Sequence, residues 1–122
     1  MLFDLLVLDR FADDPRLGLV FPDDPNLTGW SLDRDIAVGL ARRMDPAMAV
    51  PGSIDFPIGT MFWARPAALA PLFDLGLGWD DYPEEPVSID GTMLHALERL
   101  LPVVATHAGY GSMTTHVPGL TR

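Results

Sequence analysis

The sequence predicts a mixed α/β fold, a small mixed sheet with packed helices, in one domain over residues 1–122. Three observations carry that reading. Hydrophobic residues make up 48% of the chain and are spread throughout, which argues against disorder. Twelve prolines and eleven glycines require short, sharply bounded elements. Apolar residues at three- and four-residue intervals alternate with short runs rich in β-formers. A chain of this length buries roughly two thirds of its surface on folding, enough for one core.

The elements follow in order. Leu2, Leu5, Leu6 and Val7 begin an apolar segment to Phe11, read as a helix that stops at Asp13-Asp14-Pro15, because a residue before Pro is pushed out of the α region. A strand at Leu5 to Leu8 is the open alternative. Gly18-Leu19-Val20-Phe21 reads as a short buried strand closed by Pro22, and residues 22 to 30 as a loop. Ser31 or Asp33 is expected to cap a helix through Ile36, Val38, Leu40 and Arg43. Residues 44–53 are loop. Ile54 to Ala64 reads as a strand interrupted at Pro57 and Gly59. Pro66 suits the first turn of a helix through Leu69, Leu72 and Phe73, ended by Gly76 or Gly78. Trp79 to Ile89 is an acidic loop. Asp90 then serves as N-cap of the clearest helix, with Leu94, Leu97, Leu101 and Val104 as its buried stripe and Pro102 expected to kink or shorten it. Met113 to Val117 reads as the last strand. No internal repeat or linker interrupts the chain.

Composition excludes several kinds of chemistry. The net charge is −9, which opposes nucleic-acid binding. All eight basic residues are Arg, so Schiff-base and P-loop lysine chemistry are excluded. The absence of Cys excludes disulfides, thiolate zinc sites and a cysteine nucleophile. No apolar stretch approaches the ~20 residues of a membrane span. Met1-Leu2-Phe3-Asp4 lacks the basic start of a signal peptide, and the expected location is cytoplasmic. No G-x-S-x-G, P-loop or G-x-G-x-x-G is present.

Several constellations carry potential chemistry, each beside a plainer alternative. In Phe56 to Pro66, Gly59 admits a ligand close to the backbone, Thr60 offers a hydroxyl and Trp63 a flat face for a sugar ring; a core strand with an aromatic anchor is the alternative. Asp90, at a helix start, is a candidate general base or simply a cap. His95, Glu98 and Arg99 are expected to share the face opposite the leucines, as ligand contacts or as solvated ions. Asp80, Asp81, Glu84 and Glu85 offer a cation or hydroxyl site, or a solvated loop. Asp33-Arg34-Asp35 matches a metal-binding DxD by letter, but stands at a helix start rather than after a strand.

Gly59-Thr60-Met61-Phe62-Trp63-Ala64-Arg65-Pro66, followed by Asp90-Gly91-Thr92 and His95-Ala96-Leu97-Glu98-Arg99, resembles the rhamnan synthesis protein F family. Asp14 to Pro22 is similar to that family's approach to the same region, and the likeness runs over most of the chain. The resemblance implies a glycosyltransferase building rhamnose-containing cell-surface polysaccharides, with dTDP-rhamnose as donor. By analogy it implies the C-terminal, acceptor-side half of a GT-A fold, in which a glycine-bearing acceptor loop precedes a carboxylate and a C-terminal His reaches a metal.

On that footing Asp90 is the expected catalytic base, and Gly59, Thr60, Trp63, Arg65, Asp81, Glu85, His95, Glu98 and Arg99 are expected to contact substrate. His116 is the expected metal ligand. The resemblance implies that the nucleotide-binding half with a strand-borne DxD is missing, so the chain is expected to be incomplete as an enzyme and to need no cofactor in isolation. A complete enzyme would add Mg or Mn. The expected partners are a saccharide acceptor, the nucleotide sugar once another half is supplied, and a second copy in a homodimer. The competing class is a non-catalytic carbohydrate-binding or assembly module.

Overall fold

The computed structural model describes residues 2–24, 29–85 and 90–116. Its fold is mixed α/β, with a three-stranded mixed sheet at the centre. Helix α1 (Leu2–Asp13) leads through the Asp14-Pro15 turn into strand β1 (Leu17–Pro22). The helical reading of the first segment holds. Helix α2 (Arg34–Met44) follows, then a long irregular stretch to strand β2 (Trp63–Ala64). A 3-10 turn at Pro66–Leu69 runs into the single turn α3 (Ala70–Phe73). Helix α4 (Met93–His107) and strand β3 (Gly111–Thr115) complete the fold. Among the described residues no helix is long and apolar enough to cross a membrane.

The sheet order is β2-β1-β3. Strand β1 pairs antiparallel with β2 (Leu19 opposite Ala64, Val20 opposite Trp63) and parallel with β3 (Val20 opposite Met113), with a register shift between Leu17 and Leu19. Both faces of β1 are covered, which is why it reads as a continuous apolar run. Leu19 and Phe21 point into the main core with Leu40 and Ala41 of α2 and Leu100, Val104 and Ala105 of α4. Leu17 and Val20 form a second cluster with Val7 of α1, flanked by Phe11, Trp63 and Met113.

Four expectations change. Residues 54–64 do not form a long strand. Pro57 has no N–H for a ladder, and Gly59 (φ 79°) and Thr60 (φ 58°) turn the chain left-handed around a 3-10 turn at Ile58–Thr60, leaving two residues of β2. Pro102 does not shorten α4, which runs on to His107. Of the expected stripe on α4, Leu101 and Val104 are buried and Leu97 packs against the core, joined by Ala96, Leu100 and Val103, whereas Leu94 is 38% exposed. Finally, the Asp90 helix begins at Thr92 as N-cap, and neither Thr92 nor Asp33 (the N-cap residue of α2) uses its side chain to cap. The expected last-strand end at Val117 and the loop residues 25–28 and 86–89 lie outside the described residues.

Candidate functional site

The two helix starts meet. The turn before α2 carries Ser31 and Asp33, and the segment before α4 carries Asp90, Gly91 and Thr92. Gly91 takes φ +79°, a left-handed conformation that side chains resist, and this turns its N–H onto Asp33 Oδ1 at 3.0 Å. Asp90 Oδ2 accepts the Ser31 hydroxyl proton and lies 3.5 Å from the Leu32 amide. The segment before α4 is thus tied to the turn before α2 by side chains that standard capping would have used locally.

Arg99 closes the cluster from below. It is buried, and Nη1 stands 3.2 Å from Asp33 Oδ2, itself fully buried. Its Nε donates to Gly29 O at 2.8 Å, Nη1 also donates to His95 O at 3.2 Å, and the guanidinium lies 4.6 Å over the Phe56 ring. Glu98 Oε1 is 3.8 Å from Arg99, and Glu98 Oε2 accepts the Thr60 hydroxyl at 2.9 Å. His95 Nδ1 pairs with Thr92 Oγ1 at 2.6 Å.

The electrostatics split the two carboxyls. Burial pushes Asp33 up to about 6; the facing Asp90 adds to this, and the Arg99 guanidinium opposes it. Asp90 moves the other way. The neighbouring Asp33 carboxyl, then the Ser31 hydroxyl, hold it well below the usual carboxylate range. Asp90 is therefore an anion at neutral pH, with Oδ2 on the side of the exposed Ser31.

Asp33, Asp90 and His95 each bring one polar atom within 4.8 Å of the others. The Arg99 cation already stands against Asp33, and Thr92 engages His95, so the cluster is compensated from within. His116, the expected metal ligand, is exposed beyond β3 and is not in the group of carboxylates and histidine that the described residues bring together.

The other predicted residues separate into two sets. Thr60, His95, Glu98 and Arg99 join Asp90 through the contacts above, with Gly59 exposed beside Thr60. Arg99 is not on a solvated face, as expected, but in the core side of α4, because its donors are matched there. Trp63 packs on the Val7, Leu17 and Val20 cluster, which is the core-anchor alternative. Arg65 spends its donors on main-chain carbonyls of Leu17, Phe11 and Asp14 and stacks 5.5 Å from the Phe11 ring. Asp81 Oδ2 accepts the Gly78 amide at 2.7 Å, and Glu85 is exposed. A separate apolar cavity of about 640 Å³ between residues 47–55 and the C-terminal half of α4 contains none of the predicted residues.

Sequence reasoning missed Ser31 and Asp33, reading both as local caps. Ser31 pairs with Asp90 and Asp33 accepts from Gly91, almost sixty positions on, and no local pattern reports a pairing over that separation.

Comparison with known proteins completes the description. The profile of rhamnan synthesis protein F matches residues 4–110. Two curated proteins, each described as uncharacterized protein WxcX, from Xanthomonas campestris pv. campestris strains B100 and ATCC 33913, are 34% identical over 110 residues. The match covers 85% of this chain but only 15% of each relative, so the chain spans a small part of their length. No solved structure matches. With the profile running from the first helix through the end of α4, over both motifs and the Asp33–Asp90 cluster, the chain belongs to the rhamnan synthesis protein F family.

Proposed function

We propose that this chain is a rhamnosyltransferase-like domain of rhamnose-containing polysaccharide synthesis, equivalent to the acceptor-side part of a GT-A glycosyltransferase, with Asp90 as proton acceptor. The observation that carries the reading is the Asp90 carboxylate, already bonded through Oδ2 to a hydroxyl, that of Ser31. A sugar hydroxyl approaching from the same side meets the same acceptor oxygen. Its proton passes to Asp90 as its oxygen attacks the anomeric carbon and the nucleoside diphosphate leaves. A base of this kind contributes about 10²–10⁴-fold. Gly59, Thr60, His95 and Glu98 line the acceptor side, and Arg99 holds the cluster from within.

The nucleotide sugar is an anion, and a chain at −9 without Lys offers it little attraction. Donor binding therefore belongs to another half of a larger protein, in keeping with the small fraction of the relatives that this chain spans. That same observation favours a second reading, a non-catalytic carbohydrate-binding or assembly module. Self-association as a dimer is part of the proposal; exposed Phe73 and Trp79 are surface that a partner copy would cover.

A transfer assay with dTDP-rhamnose and a saccharide acceptor separates the readings. Turnover that Asp90→Asn lowers by about 10²–10⁴-fold supports the base role. Saccharide binding without turnover selects the binding module, and neither binding nor turnover removes both. Solution mass decides the dimer.

A further inference from the structure

We propose that Asp33 and Asp90 hold a single proton between Asp33 Oδ2 and Asp90 Oδ1, which makes Asp33 a positioning residue for Asp90. The geometry has a specific gap. Those two oxygens are buried and have no hydrogen-bond partner, while the other oxygen of each carboxyl is engaged, Asp33 Oδ1 by Gly91 and Asp90 Oδ2 by Ser31. One oxygen of each carboxyl lies within 4.8 Å of an oxygen of the other. Two buried acceptors facing each other with no donor are costly, and two buried like charges are more so. One proton removes both problems, because it converts the pair into a donor and an acceptor.

The surroundings decide which side keeps it. Among the described residues, the groups against the pair include the Gly91 amide on Asp33 Oδ1. From α4 come His95, Arg99 and, through Arg99, Glu98; from the turn before α2 come the Ser31 hydroxyl and the Leu32 amide. Ser31 and Leu32 direct donors at Asp90 and stabilise its anion. Asp33 is fully buried, and Arg99 at 3.2 Å offsets its charge without closing a hydrogen bond on Oδ2. The proton therefore belongs to Asp33. Burial acts in the same direction, placing the Asp33 titration near 6 and keeping Asp90 ionised far below it. While that proton is bound, below the Asp33 titration, Asp33 fixes the orientation of Asp90, leaving Oδ2 turned toward Ser31. The catalytic consequence rests on the proposed function; the proton sharing itself does not.

The test is a carboxyl ¹³C NMR titration of the whole chain from pH 3 to 8, with the Asp33→Asn variant alongside. The expected result is one carboxyl titrating near pH 6 and its partner ionised to the acid limit, with line positions that report each other. In Asp33→Asn the amide N–H₂ replaces the shared proton, so the upper step disappears while Asp90 stays ionised. Independent titration of both carboxyls near pH 4 overturns the inference. So does Mg²⁺ or Mn²⁺ binding that displaces the proton, seen as Mn²⁺ broadening at Asp33, Asp90 and His95. The wild-type titration decides the matter if Asp33→Asn does not fold. A pair that titrates as expected in a chain without transfer activity refutes the proposed function alone; independent carboxyls in an active chain refute the shared proton alone.

Discussion

Replacing Gly18 by Ala tests the tightest junction of the fold. Gly18 lies in β1, where a Cβ would stand 2.6 Å from Tyr110 Cβ and 2.7 Å from Ala68 Cβ. Carbon atoms in contact sit at about 3.5–4.0 Å, so both neighbours must retreat by roughly 1 Å. Neither can do so by a rotamer change, because each is a Cβ carried by its own backbone. Strand β1 cannot move aside either, since it is paired on both edges and Arg65 N–H donates to Gly18 O at 2.8 Å. Overpacking of this kind costs about 1–3 kcal/mol, and two backbone-borne contacts place Gly18→Ala at the upper end, about 3 kcal/mol. For a chain of this size that is a fall of roughly 10 °C in Tm. The assay is urea and thermal unfolding followed by circular dichroism. Gly39→Ala is the control: Gly39 lies within α2 with nothing inside 4 Å of its Cβ position, so the same methyl should stabilise by about 0.5–1 kcal/mol. Adding Ala68→Gly to Gly18→Ala removes one of the two contacts and should recover part of the loss beyond additivity. If Gly18→Ala falls within 0.5 kcal/mol of wild type, or shares the sign of Gly39→Ala, the close approach of β1, Ala68 and Tyr110 is refuted.

Further outcomes follow from the same structure. Leu100→Ala, at a residue 1% exposed between α4 and β1, should cost about 3 kcal/mol in urea unfolding. Arg99→Ala leaves the buried Asp33 without its counter-ion and should cost about 3–5 kcal/mol, with the loss smaller at pH 5 than at pH 8, where Asp33 must be charged. The raised Asp33 titration contributes stability that is full below the ordinary carboxyl range and disappears as pH rises through about 6. Asp45 acts oppositely: the Ala47 amide, then His107, lower it, so its contribution is lost on acidification, and thermal melts across pH 3–8 should show both limbs.

Much of this fold is legible in the sequence because prolines and apolar spacing punctuate it. Asp14-Pro15 stops α1, Pro22 closes β1, and Ile36 to Arg43 carries a helical face. The errors have physical causes. Ile54 to Ala64 is rich in β-formers, but a ladder needs successive N–H groups and left-sided dihedrals, and Pro57, Gly59 and Thr60 withdraw them. The leucine spacing finds Leu101 and Val104 on α4, but the rest of its buried face is set by what packs on it, which favours Ala96 and Leu100 over Leu94. Asp90 is recognisable as a special carboxylate from its motif. Asp33 is not, because what makes it special is burial beside a residue 57 positions away, and a local pattern reads it as a cap.

Arginine without lysine is the thread joining fold and site. Two irregular segments, residues 14–16 and 29–33, are each bracketed by one arginine from elsewhere. Arg65 takes the carbonyls of Phe11, Asp14 and Leu17; Arg99 takes those of Gly29 and His95. A planar fork with donors pointing in fixed directions suits several carbonyls at once, which a single ammonium does not. Yet the two brackets differ in consequence. The partners of Arg65 are neutral, and removing it forfeits hydrogen bonds. Arg99 also faces a buried carboxyl, so its removal strands a charge that protonation of Asp33 relieves. The turn that positions Ser31 against Asp90 is therefore held by the same guanidinium that sets the proton affinity of the pair. Backbone geometry and proton affinity at this site cannot be altered independently through Arg99, whereas Asp33→Asn changes the proton and leaves the bracket in place.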